Sequence, residues 1–286
     1  MAQVPAKPNF KRELFLRIVS SVCIIPVVAY ADYTGGLFFN LLLLFLCAVM
    51  AWEWGLLSGA TRPVTRYLLA AIACVPVLVL LIRHDPALTA IALVTASLGA
   101  GLYVALFDKG GRKGLTGAGI AYVAIAAMSA IWIREQADGF GLFTLLLIIV
   151  IATDVFAFIC GRLIGGPKVA PSISPNKTWS GALGGLSASA IVAFGFVSLN
   201  TGIPGSPLEV TSYGYLLAIM LAAAGLSIAS QAGDFLESWL KRRAGVKDSG
   251  SIIPGHGGML DRLDGFLAAT PVLALILLVY EMAVSA

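Results

Sequence analysis

Nine long apolar stretches dominate this sequence and restrict the folds that it can adopt. They cover approximately residues 14–31, 36–56, 67–82, 87–106, 115–133, 140–160, 181–199, 214–233 and 266–284. Most of them have the length, about 20 residues, that a helix needs to cross the hydrocarbon layer of a membrane. With 59% hydrophobic and 12% charged residues, the composition also excludes a water-soluble core. We therefore predict an all-α polytopic integral membrane protein of about nine transmembrane helices.

The chain shows no internal repeat and no separable soluble region, so we treat residues 1–286 as a single integral membrane domain. Within it, residues 1–140 form the N-terminal helices, and residues 141–286 contain the long polar loops and the expected catalytic helices. The first apolar stretch contains Arg17 and Pro26, which distinguishes it from a cleavable signal peptide, and we expect a retained helix.

The basic residues predict the orientation of the helices. When the loops are assigned alternately to the two sides, 17 of the 19 Lys and Arg residues fall on the side of the N-terminus, and only Arg83 and Arg134 fall on the other. The positive-inside rule then places the N-terminus and the long loops in the cytoplasm, and the C-terminus outside. These bases are spread over five loops instead of forming one patch with aromatic residues, so nucleic acid is not an expected partner. Anionic lipid headgroups are the expected partners of these bases.

A cluster of charge between Asp234 and Asp264 contrasts with the apolar remainder, because ten charged residues lie within 31 positions. On a helix that continues from residue 214 to about 241, Asp234, Glu237, Ser238 and Lys241 share one face. A carboxylate at membrane depth needs a partner. For Glu237 that partner is either a metal ion or Lys241 at i,i+4. Asp234 has no base within four residues, so its partner is an ion or comes from elsewhere in the fold.

Carboxylates from two segments commonly hold one Mg²⁺ together with ligand phosphates. Asp261 and Asp264 are the nearest acids to join Asp234. His256 lies among three glycines, Gly255, Gly257 and Gly258, where backbone N–H groups can approach an anion. We interpret His256 as a phosphate contact.

A second polar loop, GRLIGGPKVAPSISPNKTWS at 161–180, follows Asp154. Hydroxyl groups and Lys before the next apolar stretch indicate a capped helix N-terminus, which is also a suitable anion site. Glu53, between Trp52 and Trp54, is interpreted as an interfacial residue without a catalytic role.

These residues resemble the C-terminal pattern of phosphatidate cytidylyltransferases, also called CDP-diacylglycerol synthases. The shared elements are Ser238, Lys241–Arg242, Lys247–Asp248, His256–Gly257–Gly258, Asp261–Arg262 and Asp264. Upstream, SPNKTWSG is similar to the SPxKTWEG region of the family, with Ser180 where an acid is frequent. We exclude Ser180 from the site for that reason. The dense part of the resemblance covers about residues 150–270.

The resemblance implies that CTP and phosphatidic acid react to CDP-diacylglycerol and pyrophosphate. It also favours a homodimer. The paired carboxylates indicate Mg²⁺ and leave a second cation open, and the basic residues place the site on the cytoplasmic side. A compact chain without a large soluble extension is compatible with a bacterial inner membrane. Asp234 and Asp261 are the first metal ligands, followed by Asp264 and Glu237; Asp234, Asp261, Lys241 and His256 are the expected catalytic residues. The expected substrate-binding residues are Ser174, Asn176, Lys177, Thr178, Ser238, Arg242, Lys247, Asp248, Gly257, Gly258 and Arg262.

The expected site is a polar cavity between broken helices, open to the cytoplasm and to the bilayer, and lined near residues 150–160, 225–240 and 250–265. Two alternatives remain. A cation-coupled transporter or channel would also bury carboxylates, but it has no evident use for the Gly-His-Gly-Gly and Lys-Arg groups. A CTP-dependent polyprenol kinase would transfer the γ-phosphoryl group and release CDP. A CDP-alcohol phosphotransferase is disfavoured because its DGxxAR arrangement is absent.

Overall fold

The protein is a bundle of long helices in a computed structural model that describes residues 26–200, 213–250, 252 and 257–285. We call the helical residues 26–34 α1. The elements that follow are α2 (Gly36–Leu57), α3 (Pro63–Arg83), α4 (Pro86–Phe107), α5 (Lys113–Glu135), α6 (Gly139–Leu163), β1 (Lys168–Ala170), β2 (Ser174–Thr178), α7 (Trp179–Asn200), α8 (Tyr213–Ala244) and α9 (Leu260–Ser285).

Eight helices, α2 to α9, are long and apolar enough to cross a membrane within the described residues. They correspond one to one to the last eight apolar stretches of the sequence, which confirms the all-α polytopic prediction. The first stretch lies largely outside the described residues. Within the described parts each of α2 to α9 is continuous, including α3 with Pro76 and α9 with Pro271. The expectation of broken helices is therefore wrong for this part of the chain.

The helices pack mainly as sequential antiparallel pairs around α5, which contacts α2, α3, α4, α6 and α9. Small residues allow the closest approaches. A Cβ atom built on Gly233 of α8 would lie 2.3 Å from the Asp264 carbonyl oxygen of α9, and one on Gly181 of α7 would lie 2.6 Å from the Ala157 carbonyl oxygen of α6. Close backbone packing is a usual way for membrane helices to associate, because lipid gives no hydrophobic drive between them.

Hydrogen bonds join several basic loops at one end of the bundle. The Arg112 N–H donates to the Ser58 carbonyl oxygen over 2.9 Å, and the Arg112 side chain reaches the Arg243 carbonyl oxygen at 3.5 Å. At the other end, the Arg134 side chain donates to the Asp32 carbonyl oxygen over 2.7 Å. The alternation of loops predicted from the basic residues thus agrees with the packing of these segments.

A two-stranded antiparallel hairpin of β1 and β2 lies between α6 and α7. The sequence analysis treated 161–180 only as a loop leading to a helix cap. The cap itself is present, because the Thr178 hydroxyl accepts the Gly181 N–H over 3.2 Å at the start of α7. Ser174, Asn176 and Lys177 belong to β2 instead of the helix terminus.

Candidate functional site

A cavity of about 540 Å³ opens between α6, α7, α8 and the hairpin. Its polar walls come from Asp154, Arg162, Lys168, Asn176, Lys177, Thr178, Gln231 and Asp234, and its apolar walls include Ala157, Phe158, Val169, Ala182 and Phe235. Residues 150–160 and 225–240 line it as predicted. None of the described residues in the predicted third wall, 250–265, contributes.

Lys177 and Asp234 form an ion pair across this cavity. The Lys177 ammonium also lies 4.2 Å from the centre of the Phe235 ring, where a cation–π contact holds it. The Ser238 hydroxyl donates to Asp234 Oδ1 over 3.4 Å. The partner of Asp234 does come from elsewhere in the fold, and the ion pair joins α8 to the hairpin.

The hairpin holds Lys177 in this position. Lys168 Nζ donates to the Asn176 carbonyl oxygen over 3.4 Å, and the Ser180 hydroxyl donates to the Gly165 carbonyl oxygen. Gly165 has φ +68°, a conformation that glycine adopts without a steric penalty. Ser180 thus connects the start of α7 to the segment before β1.

Hydrogen bonds of neutral side chains connect α6, α7 and α8 beside the cavity. The Thr153 hydroxyl of α6 donates to the Ser227 hydroxyl of α8 over 3.0 Å. The Gln231 amide of α8 donates to the Ala182 carbonyl oxygen of α7 and to Ser227 Oγ, each over 3.3 Å. Buried polar contacts of this kind hold the three helices in a defined relative position.

A second polar network surrounds Lys241, which lies about two turns beyond Asp234 on α8. Lys241 Nζ is 3.3 Å from Glu237 Oε2 and 2.5 Å from Asp261 Oδ1. The i,i+4 pair that the sequence allowed for Glu237 is therefore present. Glu237 Oε1 is buried and has no hydrogen-bond partner among the described residues.

The other Asp261 oxygen organises the start of α9. Asp261 Oδ2 accepts the Ser249 N–H and hydroxyl, each over 2.8 Å, and the Gly258 N–H over 2.9 Å. The Gly258 N–H, which the sequence analysis assigned to a phosphate, is thus used by a carboxylate of the protein. A Cβ atom on Gly258 would lie 2.1 Å from Ser249 Oγ, so this position also requires glycine for packing.

Glu53 belongs to the same network, and its interpretation as an interfacial residue is wrong. Its side chain is fully buried, and its two oxygens accept the Met259 and Leu260 N–H groups over 2.9 and 2.8 Å. Glu53 therefore caps α9 from α2, where an acid at a helix N-terminus is stabilised by unpaired N–H groups. The flanking Trp residues suggested an interface, although a lone acid inside an apolar helix is itself a signal of a buried polar site.

The acidic residues fit a divalent cation in part. Asp234, Asp154 and Asp264 lie within electrostatic range of one another, as do Asp264 and Glu237. Among the described residues, no three His, Cys, Asp or Glu side chains converge to hold a metal alone. Mg²⁺ is usually held by one or two carboxylates and substrate phosphates, and the unpartnered Glu237 oxygen is consistent with that arrangement. Both Asp261 oxygens already accept protein donors.

The remaining predicted residues lie around these two networks. Arg242 donates to the Ile173 carbonyl oxygen over 3.5 Å, which links α8 to the turn of the hairpin. Lys247 and Asp248 lie on the exposed segment after α8, and a Cβ atom on Gly257 would contact the Asp248 side chain at 3.4 Å. The Arg262 guanidinium lies within electrostatic range of Asp154. His256 lies outside the described residues.

The residues of the site that the sequence does not predict are Arg162, Lys168, Gln231 and Glu53. Arg162 and Lys168 were used only to orient the chain, and their position in the same loop as Lys177 was the available signal. Gln231 precedes Asp234 by three residues and so shares its helix face, which was the available signal for this residue.

Comparison with known proteins identifies the group to which these features belong. The model of the cytidylyltransferase family matches residues 15–280. A phosphatidate cytidylyltransferase of Brucella abortus biovar 1 (strain 9-941) is 37% identical over 261 residues, which are 91% of each chain. One of Pseudomonas aeruginosa is 33% identical over 270 residues, 91% of this chain and 96% of the relative. Since the match extends through α2 to α9, including both polar networks, this chain belongs to the cytidylyltransferase family.

Proposed function

We propose that this protein is a phosphatidate cytidylyltransferase that converts CTP and phosphatidic acid to CDP-diacylglycerol and pyrophosphate in the cavity of Lys177 and Asp234. The main support for this proposal is the position of the cavity. Carboxylates and bases for a polyphosphate stand beside apolar walls within membrane-spanning helices. The transporter and polyprenol kinase alternatives are not favoured, because the family is that of cytidylyltransferases and the matched relatives are named phosphatidate cytidylyltransferases.

The reaction brings together two polyanions, so charge neutralisation is its first requirement. Lys168, Lys177 and Arg162 line the cavity and supply positive charge to the phosphates. Lys177 is held in place by Asp234 and Phe235, and it can exchange the carboxylate for a phosphate oxygen. Asn176 and Thr178 add polar groups to the same wall.

An oxygen of the lipid phosphate attacks the α-phosphorus of CTP. A new P–O bond forms there, and the bond from the α-phosphorus to the bridging oxygen of the β-phosphate breaks, so that pyrophosphate leaves. The attacking phosphate is largely dianionic at neutral pH, because the second pKa of a phosphate monoester is about 6. A general base is therefore not required, and the protein acts mainly by positioning and by charge.

We propose Asp234, Asp261, Asp264 and Glu237 as the residues that hold Mg²⁺, and a second cation is compatible with this number of carboxylates. When bound, Mg²⁺ would neutralise charge on the transferred phosphate and on pyrophosphate. Asp234 is the best placed of the four, because it lines the cavity. Asp261 would have to release some of its present donors, whereas Glu237 has an oxygen without a partner among the described residues.

We place the protein in a bacterial inner membrane with the cavity facing the cytoplasm, because CTP is cytoplasmic and 17 of 19 basic residues are predicted on that side. The lipid would enter sideways from the bilayer. The resemblance to the family supports a homodimer.

The test follows the label of α-³²P-CTP in a mixture of purified protein, phosphatidic acid and Mg²⁺. We expect label in the lipid phase and release of pyrophosphate. Label that stays in water as CDP would instead indicate phosphoryl transfer and would overturn the proposal. Parallel reactions with a polyprenol as acceptor distinguish the kinase directly.

A further inference from the structure

A second cavity, of about 500 Å³, lies at the basic end of the bundle between the start of α5 and the end of α8. We call it the basic groove and define it by Arg112, Lys113, Leu115, Ala118, Trp239 and Arg243. It shares no lining residue with the cavity of Lys177 and Asp234. Trp239 and Asp234 are five positions apart on α8, so they point about 140° apart around that helix. The groove is therefore a separate site.

The charge of the basic groove is not compensated. It contains three cationic side chains and no acidic one among its described lining residues. None of the three forms a salt bridge with another described residue. Their contacts are with neutral groups: Arg112 Nη2 donates to the Arg243 carbonyl oxygen over 3.5 Å, and Arg243 stacks 5.2 Å from the centre of the Trp239 ring. All three cations are exposed.

The remaining walls are apolar and belong to helices that cross the membrane. Leu115 and Ala118 lie on α5, and Trp239, 38% exposed, lies on α8. Trp is typical of the level of lipid headgroups, because its ring is apolar and its N–H is polar. Arg and Lys close to that level attract anionic lipids. The start of α5 adds unpaired N–H groups to the same opening and has no acid in its first turn.

We propose that the basic groove binds the headgroup of an anionic phospholipid, with the phosphate between Arg112, Lys113 and Arg243 and the glycerol and upper acyl chains against Leu115, Ala118 and Trp239. The occupant is a lipid and not a soluble anion because cationic and apolar walls meet in one opening of a transmembrane bundle. This inference depends on the membrane-spanning fold and not on the proposed reaction. It assigns the protein a lipid contact besides any lipid substrate.

The test titrates the full-length protein, purified in a neutral detergent, with dihexanoyl phosphatidylglycerol and follows the tryptophan fluorescence. The chain has five Trp residues, and comparison with Trp239→Phe assigns the change to Trp239. Phosphatidylglycerol is a phosphodiester and has no terminal phosphate, so it is not an acceptor in the proposed reaction. Dihexanoyl phosphatidylcholine and inorganic phosphate are titrated in parallel. We expect saturable binding of phosphatidylglycerol, no comparable signal with either of the others, and loss of the signal in Trp239→Phe.

The variant Arg112→Gln/Arg243→Gln should weaken phosphatidylglycerol binding at least about tenfold, because each base near the membrane surface contributes to anionic lipid affinity. The matched control is Arg62→Gln/Lys109→Gln, which removes two exposed bases at the same end of the bundle but outside the groove. We expect this control to bind as the unchanged protein does. Lys113→Gln, whose side chain makes no hydrogen bond or ion pair to a described residue, serves if the double variant does not fold.

Several results would overturn the proposal. Equal weakening in the groove variant and in the control would show a general effect of surface charge. Equal affinity for phosphatidylcholine would remove the role of the cations, and equal competition by inorganic phosphate would indicate a soluble-anion site. Loss of binding in Lys177→Met, with the groove intact, would place the lipid in the other cavity. Failure of the cytidylyl-transfer assay would leave this inference unaffected, so the two proposals are separable.

Discussion

Individual side chains in this protein have different roles even where the sequence presents them as one cluster. Asp234 faces a cavity and is paired with Lys177 from another segment. Asp261 is enclosed by four donors and organises the start of a helix. Replacement of each residue therefore tests a different function.

Asp234→Asn should lower kcat by about 100-fold or more, because it removes a charged group from the cavity where phosphate charge has to be stabilised. The fold should persist, since the Asp234 side chain forms one ion pair, with Lys177, and one hydrogen bond, with Ser238, to the described residues. Steady-state rates and thermal unfolding of the same preparation measure both effects. The control is Glu281→Gln, an exposed acid at the far end of α9. Activity close to the unchanged level in Asp234→Asn would exclude it as a metal ligand.

Glu53→Ala should lower the free energy of unfolding by about 2–4 kcal/mol, because two buried N–H groups would lose their acceptors. Glu53→Gln should have a smaller effect, since one amide oxygen can still accept a hydrogen bond. Thermal unfolding in detergent provides the measurement. Glu135→Ala is the control, because Glu135 is exposed at the end of α5. Equal stability of Glu53→Ala and the control would contradict the capping role.

Among the helices, the closeness of packing depends on whether a side chain at a given position would collide with the backbone of the neighbouring helix. Gly233 and Gly225 are both on α8, but only Gly233 faces α9 closely. Both positions are glycine, so the sequence alone does not distinguish them. The contact with α9 also sets the distance between the Asp234 and Asp261 networks.

Gly233→Ala should therefore destabilise the protein by about 1–3 kcal/mol, because its Cβ would lie 2.3 Å from the Asp264 carbonyl oxygen. Gly225→Ala, with nothing within 4 Å of its Cβ, should be neutral or slightly stabilising, since Ala is the better helix former. Thermal unfolding of the two variants side by side measures the contrast. Equal effects would show that α8 and α9 are not packed this closely.

The loops at the basic end are joined by Asp108, which accepts the N–H groups of Thr61 and Arg62 over 3.0 and 3.1 Å. Burial acts to raise the pKa of Asp108, but hydrogen bonds from Thr61 and Arg62 lower it to about 2. A carboxyl with a depressed folded-state pKa stabilises the fold above its unfolded-state pKa of about 4, and this contribution disappears as the pH falls through 2.

Asp108→Asn should accordingly be less stable than the unchanged protein at pH 7, by about 1–3 kcal/mol. The difference should shrink as the pH falls from about 5 towards 2, where Asp108 itself becomes neutral. Chemical unfolding across this pH range provides the measurement. A difference that stays constant with pH would show that the Asp108 charge is not responsible.

At the scale of the whole molecule, the fold separates a strongly basic end from an end with few bases. Loops after α2, α4 and α8 meet at the basic end, and the cavity of Lys177 and the basic groove both draw residues from loops on that side. One membrane face thus carries both candidate binding sites.

This arrangement predicts the labelling of single cysteines in a background without the four native ones. A cysteine at Lys109 should react with an impermeant maleimide only after the membrane is permeabilised, whereas one at Glu135 should react in intact cells, because the two positions lie at opposite ends of α5. Blocking with a second reagent before permeabilisation is the control. Reaction of both positions from the same side would refute the predicted topology.

The sequence predicted the number and approximate positions of the spans from residue 36 onward, the loop alternation, and two of the three expected cavity walls, 150–160 and 225–240, because these depend on local hydropathy and on charge along the chain. It also allowed the Glu237–Lys241 pair, which only needs helical spacing. The sequence did not predict that Lys177 pairs with Asp234, that Asp261 and Glu53 hold the start of α9, or that the helices continue unbroken in the described residues. These contacts join residues far apart in the sequence, such as Glu53 and Leu260, and no local pattern encodes which distant donor will meet a buried carboxylate.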